Sequence, residues 1–275
     1  STSRRQRQMC IRDRYCVPLI PTIILWWIIN VSDRYMVTYF ISSSANGLYT
    51  AASKIPNFVI LFSQIFIDAW QLSAVDEYDQ EGGRQFFTKV FRVYSGGIFA
   101  VASVLILLCQ FITKILVAKS YYDSWQFVPI LIIATTFSCI VNFLASIYMA
   151  EKKNVMSLVT AMSGAITNFV LNLVFIPRIG ANGAALATVC AFLVVFVTRA
   201  IDTRRFIKID FKLPVLLGET AVLVTQSILL LKYDGTLWVY IIEVLLVVVM
   251  LLLNLKPIKE LVNLILAKFL KKRKN

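Results

Sequence analysis

The chain has 275 residues, of which 59% are apolar and 16% charged, and its formal net charge is +13. Its mean hydropathy of +0.75 lies well above that of a soluble domain, where roughly 45–50% of residues are apolar. Histidine is absent, which removes the usual metal ligand and the usual base near neutral pH. Charges cluster between long apolar runs, and the short alternating segments of a β-barrel are missing. The expected class is therefore all-α, a polytopic membrane protein with about eight transmembrane helices.

Residues 1–14, "STSRRQRQMCIRDR", have no apolar core and so make no signal peptide; they read as a non-native or cytoplasmic lead. Eight runs follow that are long enough to cross about 30 Å of hydrocarbon as helices. They lie near 17–42, 46–75, 93–117, 125–149, 154–177, 181–201, 213–232 and 236–255. Pro21 and Pro56 predict kinks.

The first run contains "NVSDRYM", with Asp33 and Arg34 adjacent at membrane depth. Even lenient insertion scales put the cost of such a charge at about 2.5–3.5 kcal/mol, so both should face protein or water. In the second run Lys54, Asn57, Leu61, Gln64 and Asp68 follow helical spacing and share one face. Arg34 lies ten residues before Ser44 and Lys54 ten after it. At about 1.5 Å per residue both cations sit roughly 13–15 Å below the intervening loop. Two cations at one depth, with Asp33 neutralising one, predict a hydrated cavity suited to an anion. The competing reading is structural: Arg34 and Asp33 lock helices together, and Lys54 snorkels to the interface.

The loop "VDEYDQEGGRQFFTKVFRVY" reads as a helix lying along the membrane surface. In the fifth run Ser157, Thr160, Gly164, Asn168 and Asn172 form a stripe of small and polar residues, read as packing glue. Gly183, Ala187 and Ala191 form a similar ridge in the sixth. Glu219 and Glu243, in the last two runs, fit an ion site or an interfacial role equally. Cys109, Cys139 and Cys190 lie in apolar runs and read as core residues. No metal site is expected.

Loop charge sets the orientation. With residues 1–14 set aside, seventeen Lys and Arg fall on one side, from Arg84 to Lys274, and four on the other: Lys114, Lys119, Arg178 and Lys232. The positive-inside rule places both ends in the cytoplasm. The net charge is then a topology signal and calls for no nucleic-acid partner. The tail 257–275 reads as a basic amphipathic helix on anionic membrane lipids.

Three stretches, "PLIPTIILWWIINVSDRYMVTYF", "ANGLYTAASKIPNFVILFSQIFIDAWQLSA" and "IPRIGANGAALATV", resemble the C-terminal half of Wzx-type polysaccharide flippases. These belong to the multidrug/oligosaccharidyl-lipid/polysaccharide exporter superfamily. The resemblance covers residues 15–256. It implies a second six-helix lobe over 15–211, two additional transmembrane helices over 212–256, and a first lobe that this sequence lacks. It also implies translocation of undecaprenyl-diphosphate-linked oligosaccharide from the inner to the outer leaflet of the bacterial cytoplasmic membrane by alternating access. In that family cavity cations are thought to engage the diphosphate or anionic sugars, and the matching positions are Arg34 and Lys54. With Asp33, Asn57, Gln64 and Asp68 they make up the expected substrate site.

No GxxxxGK[ST] motif occurs, and no cofactor is expected. Two alternatives stay open. A multidrug cation antiporter of the same superfamily should prefer acids in its cavity. A membrane glycosyltransferase or polymerase should carry larger outer loops than "SSSANG" or "KYDG". The expected protein is not an enzyme.

Overall fold

The computed structural model describes residues 19–77, 83–151, 153–233 and 236–255. Residues 1–14 and the tail 257–275 lie outside the described residues. Every regular element among the described residues is helical. In order these are α1 (Leu19–Phe40), α2 (Ser43–Ala52), α3 (Asn57–Glu77), α4 (Gly83–Leu107), α5 (Cys109–Leu116) and α6 (Val128–Ala150). They continue with α7 (Asn154–Ile179), α8 (Ala181–Asp202), α9 (Leu213–Lys232) and α10 (Leu237–Leu253). Short 3-10 stretches cover Lys119–Phe127 and Thr203–Arg205.

Each expected run is largely helical where it is described. Among the described residues five segments are long and apolar enough to cross a membrane, or six if the bent pair α2–α3 counts as one span. The chain is a multi-pass helical membrane protein. The bend between α2 and α3 is 44°, at the turn that ends in Pro56. Proline supplies no N–H and its ring crowds the preceding turn, so the helix restarts one residue later. Pro21, by contrast, falls in the first turn of α1, where its missing donor has no partner to lose, and α1 runs unbroken.

Two expectations are corrected. The run 93–117 is divided at Leu108 into α4 and α5. Residues 83–94 do not form a surface helix; they are the first three turns of α4. Phe87, Phe91 and Tyr94 recur on one face there and are buried. They close around Trp70 of α3 and Phe143 of α6, whose rings stack at 5.2 Å. Trp70 also donates its indole N–H to Ser146 Oγ at 2.9 Å, which satisfies its polar edge inside the bundle.

The bundle is built around α6, which packs against α3, α4 and α8. α7 and α8 form a hairpin, α1 lies along α7, and α9 and α10 pack on α4. The small-residue positions explain the close α7–α8 approach. A Cβ at Gly183 would lie 2.5 Å from the carbonyl carbon of Phe175, a backbone atom that no rotamer change can move. Gly180, with φ +68, turns the chain between these helices.

Near the other end of the hairpin sits Arg199, counted in the sequence as a loop cation but 1% exposed here. Its Nε donates to Thr160 Oγ1 (3.0 Å), Nη1 to the Val141 carbonyl (2.7 Å) and Nη2 to Ser157 Oγ (3.2 Å). The guanidinium lies over the Tyr148 ring at 5.9 Å. One side chain thus ties α8 to α6 and α7, and two of the five residues of the fifth-run stripe, Ser157 and Thr160, receive it.

Candidate functional site

Asp33 and Arg34 are neighbours in sequence but occupy different faces of α1, because consecutive helical residues point about 100° apart. Asp33 is 3% exposed, whereas Arg34 is exposed. The Asp33 carboxylate accepts from Asn172 Nδ2 (2.6 Å) and Thr188 Oγ1 (2.6 Å), with the Tyr49 hydroxyl at 3.5 Å. Asn168 extends the knot, donating to Thr188 Oγ1 (3.2 Å) and accepting from Asn172 (3.1 Å). One carboxylate therefore gathers α1, α2, α7 and α8. These hydrogen bonds lie in apolar surroundings where water does not compete.

The expectation that Asp33 neutralises a neighbouring cation is overturned. Among the described residues the ion pairs are Arg92–Asp210 and Arg205–Asp202, and neither involves Asp33 or Arg34. Instead Arg34 Nη2 reaches Ser53 Oγ at 3.4 Å, a long contact to a neutral group.

Arg34 and Ser53 stand on the wall of a cavity of about 420 Å³ between α1, the α2–α3 turn, α6 and α8. Asp33, Tyr49, Asn57 and Thr188 also line it. α6 contributes Thr135, Ser138 and Asn142, spaced for one helical face. The remainder of the wall is apolar, including Ile60, Leu131 and Phe192. The break at residues 53–56 matters here: it puts Ser53 on the cavity wall, its hydroxyl donating to the Thr50 carbonyl at 2.8 Å and within 3.4 Å of Arg34 Nη2.

Of the six expected site residues, the structure brings Asp33, Arg34 and Asn57 to this cavity. Lys54 does not line it; it projects, exposed, from the α2–α3 turn, where its backbone N–H donates to the Ala51 carbonyl at 3.2 Å. It is next to Ser53, which the Arg34 side chain reaches. Gln64 and Asp68 also stay off the wall. They lie further along the exposed face of α3, where Gln64 Nε2 donates to Asp68 Oδ1 at 2.6 Å. Leu61, on the same face, is 60% exposed.

Glu243 is fully buried and accepts from Gln226 Nε2 at 2.8 Å, while Gln226 accepts from Ser103 at 2.8 Å. This chain of contacts joins α4, α9 and α10. Among the described residues no group of three or more His, Cys, Asp or Glu could hold a metal ion.

No protein-family model matches the sequence, and comparison with curated proteins gave no match. Solved structures do share the fold. The lipid II flippase MurJ, in an inward closed conformation, superposes with a TM-score of 0.60 at 17% identity, over 88% of this chain and 53% of that one. A MOP superfamily transporter from Pyrococcus furiosus, described by the reverse polarity of its binding pocket, gives 0.57 at 16% identity, over 89% of this chain and 62% of that one. The fold is thus the one found in MOP superfamily transporters. The chain spans about half to two thirds of the length of these structures.

Proposed function

We propose that this chain is the second lobe, with two additional helices, of a flippase for undecaprenyl-diphosphate-linked oligosaccharide. It works with a first lobe by alternating access in the bacterial cytoplasmic membrane, with both ends cytoplasmic. The basic tail rests on anionic lipids of the inner leaflet. The observation that carries this reading is the division of the Asp33–Arg34 pair. Neutral amide and hydroxyl groups take up the carboxylate, and the guanidinium is left on a cavity wall without a carboxylate partner among the described residues.

A cation in a partly apolar cavity at membrane depth is costly unless a ligand compensates it. A diphosphate does so, because the planar guanidinium fork matches two phosphate oxygens. The polar residues that miss the cavity support the same reading. Gln64 and Asp68 lie on the exposed face of α3 and Lys54 on the turn before it, and a path between two lobes would run along such a face. A cation antiporter fits less well, since the carboxylate it would need is already saturated with donors. No enzymatic role follows from this arrangement.

Genetic complementation tests the proposal. In the protein carrying both lobes, Arg34→Ala should abolish polysaccharide export at unchanged expression, and Arg34→Lys should keep part of it. If Arg34 served only to balance Asp33, an Asp33→Asn, Arg34→Gln double variant would export normally. Near wild-type export from that variant contradicts the substrate role.

A further inference from the structure

The cavity of Arg34 holds a second set of polar groups, and these are unused. Asn57 at the start of α3 and Ser138 and Asn142 of α6 line the wall, and their side chains make no hydrogen bond among the described residues. Asn57 and Asn142 are exposed, and Ser138 is half-buried. Thr135, one turn before Ser138 on the same face, has spent its donor on the Leu131 carbonyl (2.8 Å).

Packing does not account for these side chains. Polar residues that serve packing here find partners: on α7 and α8, Asn168, Asn172 and Thr188 bond one another and Asp33. An amide or hydroxyl without a partner is unfavourable in a membrane bundle, so the contents of the cavity must supply one.

Their position and chemistry decide which part of a ligand they meet. Arg34 belongs to α1, which packs on α7, whereas Ser138 and Asn142 belong to α6, which packs on α3, α4 and α8. The cavity therefore has a cationic side and a neutral polar side. Its volume of about 420 Å³ falls in the range that accommodates small-molecule groups. Phosphate oxygens only accept hydrogen bonds, and a guanidinium only donates them. Carboxamides and hydroxyls do both, as the hydroxyl groups of a sugar do.

We propose that Asn57, Ser138 and Asn142 form a saccharide subsite that hydrogen-bonds the hydroxyl groups of the sugar next to the diphosphate. This rests on the reading of Arg34 as the partner of the diphosphate. That sugar is bonded directly to the phosphates, so it enters the same cavity whenever Arg34 holds them. The subsite selects glycosylated lipid over the bare diphosphate, which Arg34 alone cannot do.

The test measures binding to the two-lobed protein in detergent. Two probes carry the fluorophore on the prenyl chain: an undecaprenyl-diphosphate disaccharide and undecaprenyl diphosphate itself. Wild type should prefer the glycosylated lipid at least tenfold. Ser138→Ala with Asn142→Leu should reduce that preference to within twofold, whereas Arg34→Ala should weaken binding of both lipids and keep the preference. Neither α6 side chain has a hydrogen bond to lose, so the double variant should keep the wild-type thermal midpoint. Asn142→Ala alone, at an exposed position, should cut the preference at least threefold and carries the test should the pair disturb folding. No preference in wild type, or a preference that survives both α6 variants, overturns the saccharide subsite and leaves the diphosphate reading standing. Binding of both lipids by Arg34→Ala as tight as by wild type overturns the diphosphate reading, and the subsite with it.

Discussion

Asp33→Ala should destabilise the fold more than any other single change on the cavity wall. The substitution removes the acceptor of Asn172 and Thr188 and the neighbour of the Tyr49 hydroxyl. Each buried donor left unsatisfied costs about 1–3 kcal/mol, so losing the shared acceptor of two costs about 2–6 kcal/mol. By the scaling for soluble domains, a loss of that size lowers the thermal midpoint on the order of 10 °C. Asp33→Asn keeps the shape and one acceptor and should cost less. Thermal unfolding in detergent, followed by the fluorescence of the buried tryptophans, measures both. An Asp33→Ala midpoint equal to wild type would show that the knot does not hold α1 to α7 and α8.

Read from the sequence, Asp33 neutralises a neighbouring cation; in the structure its partners are Asn172 and Thr188 instead. Adjacency along a helix separates two side chains by about 100°, so neighbours in sequence do not pair unless a third element brings them together.

Arg199→Leu is the second substitution expected to have a large effect. The guanidinium is fully buried and donates to α6 and α7 from α8. Leucine keeps apolar volume but makes none of these bonds, leaving Ser157 Oγ and the Val141 carbonyl without the donor. A loss of about 2–4 kcal/mol is expected, from broken hydrogen bonds and an imperfectly filled site. Arg199→Lys should recover little of it, because one ammonium cannot reproduce a planar fork directed at three acceptors. The same thermal measurement checks both variants. Recovery of full stability by lysine would mean that charge, and not the directed bonds, is what the site requires.

The helical architecture was legible because lipid demands long apolar runs with internally satisfied backbones, and those runs stand out in the sequence. The break at Pro56 was legible for the same local reason. The break at Leu108 was not, since "ILLCQF" contains neither proline nor glycine to announce it. Residues 83–94 were misplaced because their charges, Arg84, Lys89 and Arg92, dominate the pattern. Their aromatics follow the helical period equally well, and three-dimensional packing decided in favour of the aromatics.

The cavity was half legible. Arg34 and Asn57 stand out as polar residues in apolar runs. Thr188 does not: a lone threonine in "GANGAALATV" is an ordinary helix residue, and only α7 and α1 give it a partner. Asn168 and Asn172 read as packing residues, and what they pack around is a carboxylate 139 positions from Asn172. Thr135, Ser138 and Asn142 do form a periodic stripe on α6, and the same spacing test that found the α3 face would have found them.

The most direct test of the account is transbilayer movement in proteoliposomes containing the two-lobed protein. The substrate is a fluorescent undecaprenyl-diphosphate saccharide, and a membrane-impermeant quencher reports the leaflet it occupies. The account predicts transfer by wild type, a rate at least tenfold lower with Arg34→Ala, equivalent to about 1.4 kcal/mol, and no transfer of a neutral undecaprenyl saccharide lacking the diphosphate. Equal rates for wild type and Arg34→Ala, or equal transfer of the neutral lipid, would contradict it.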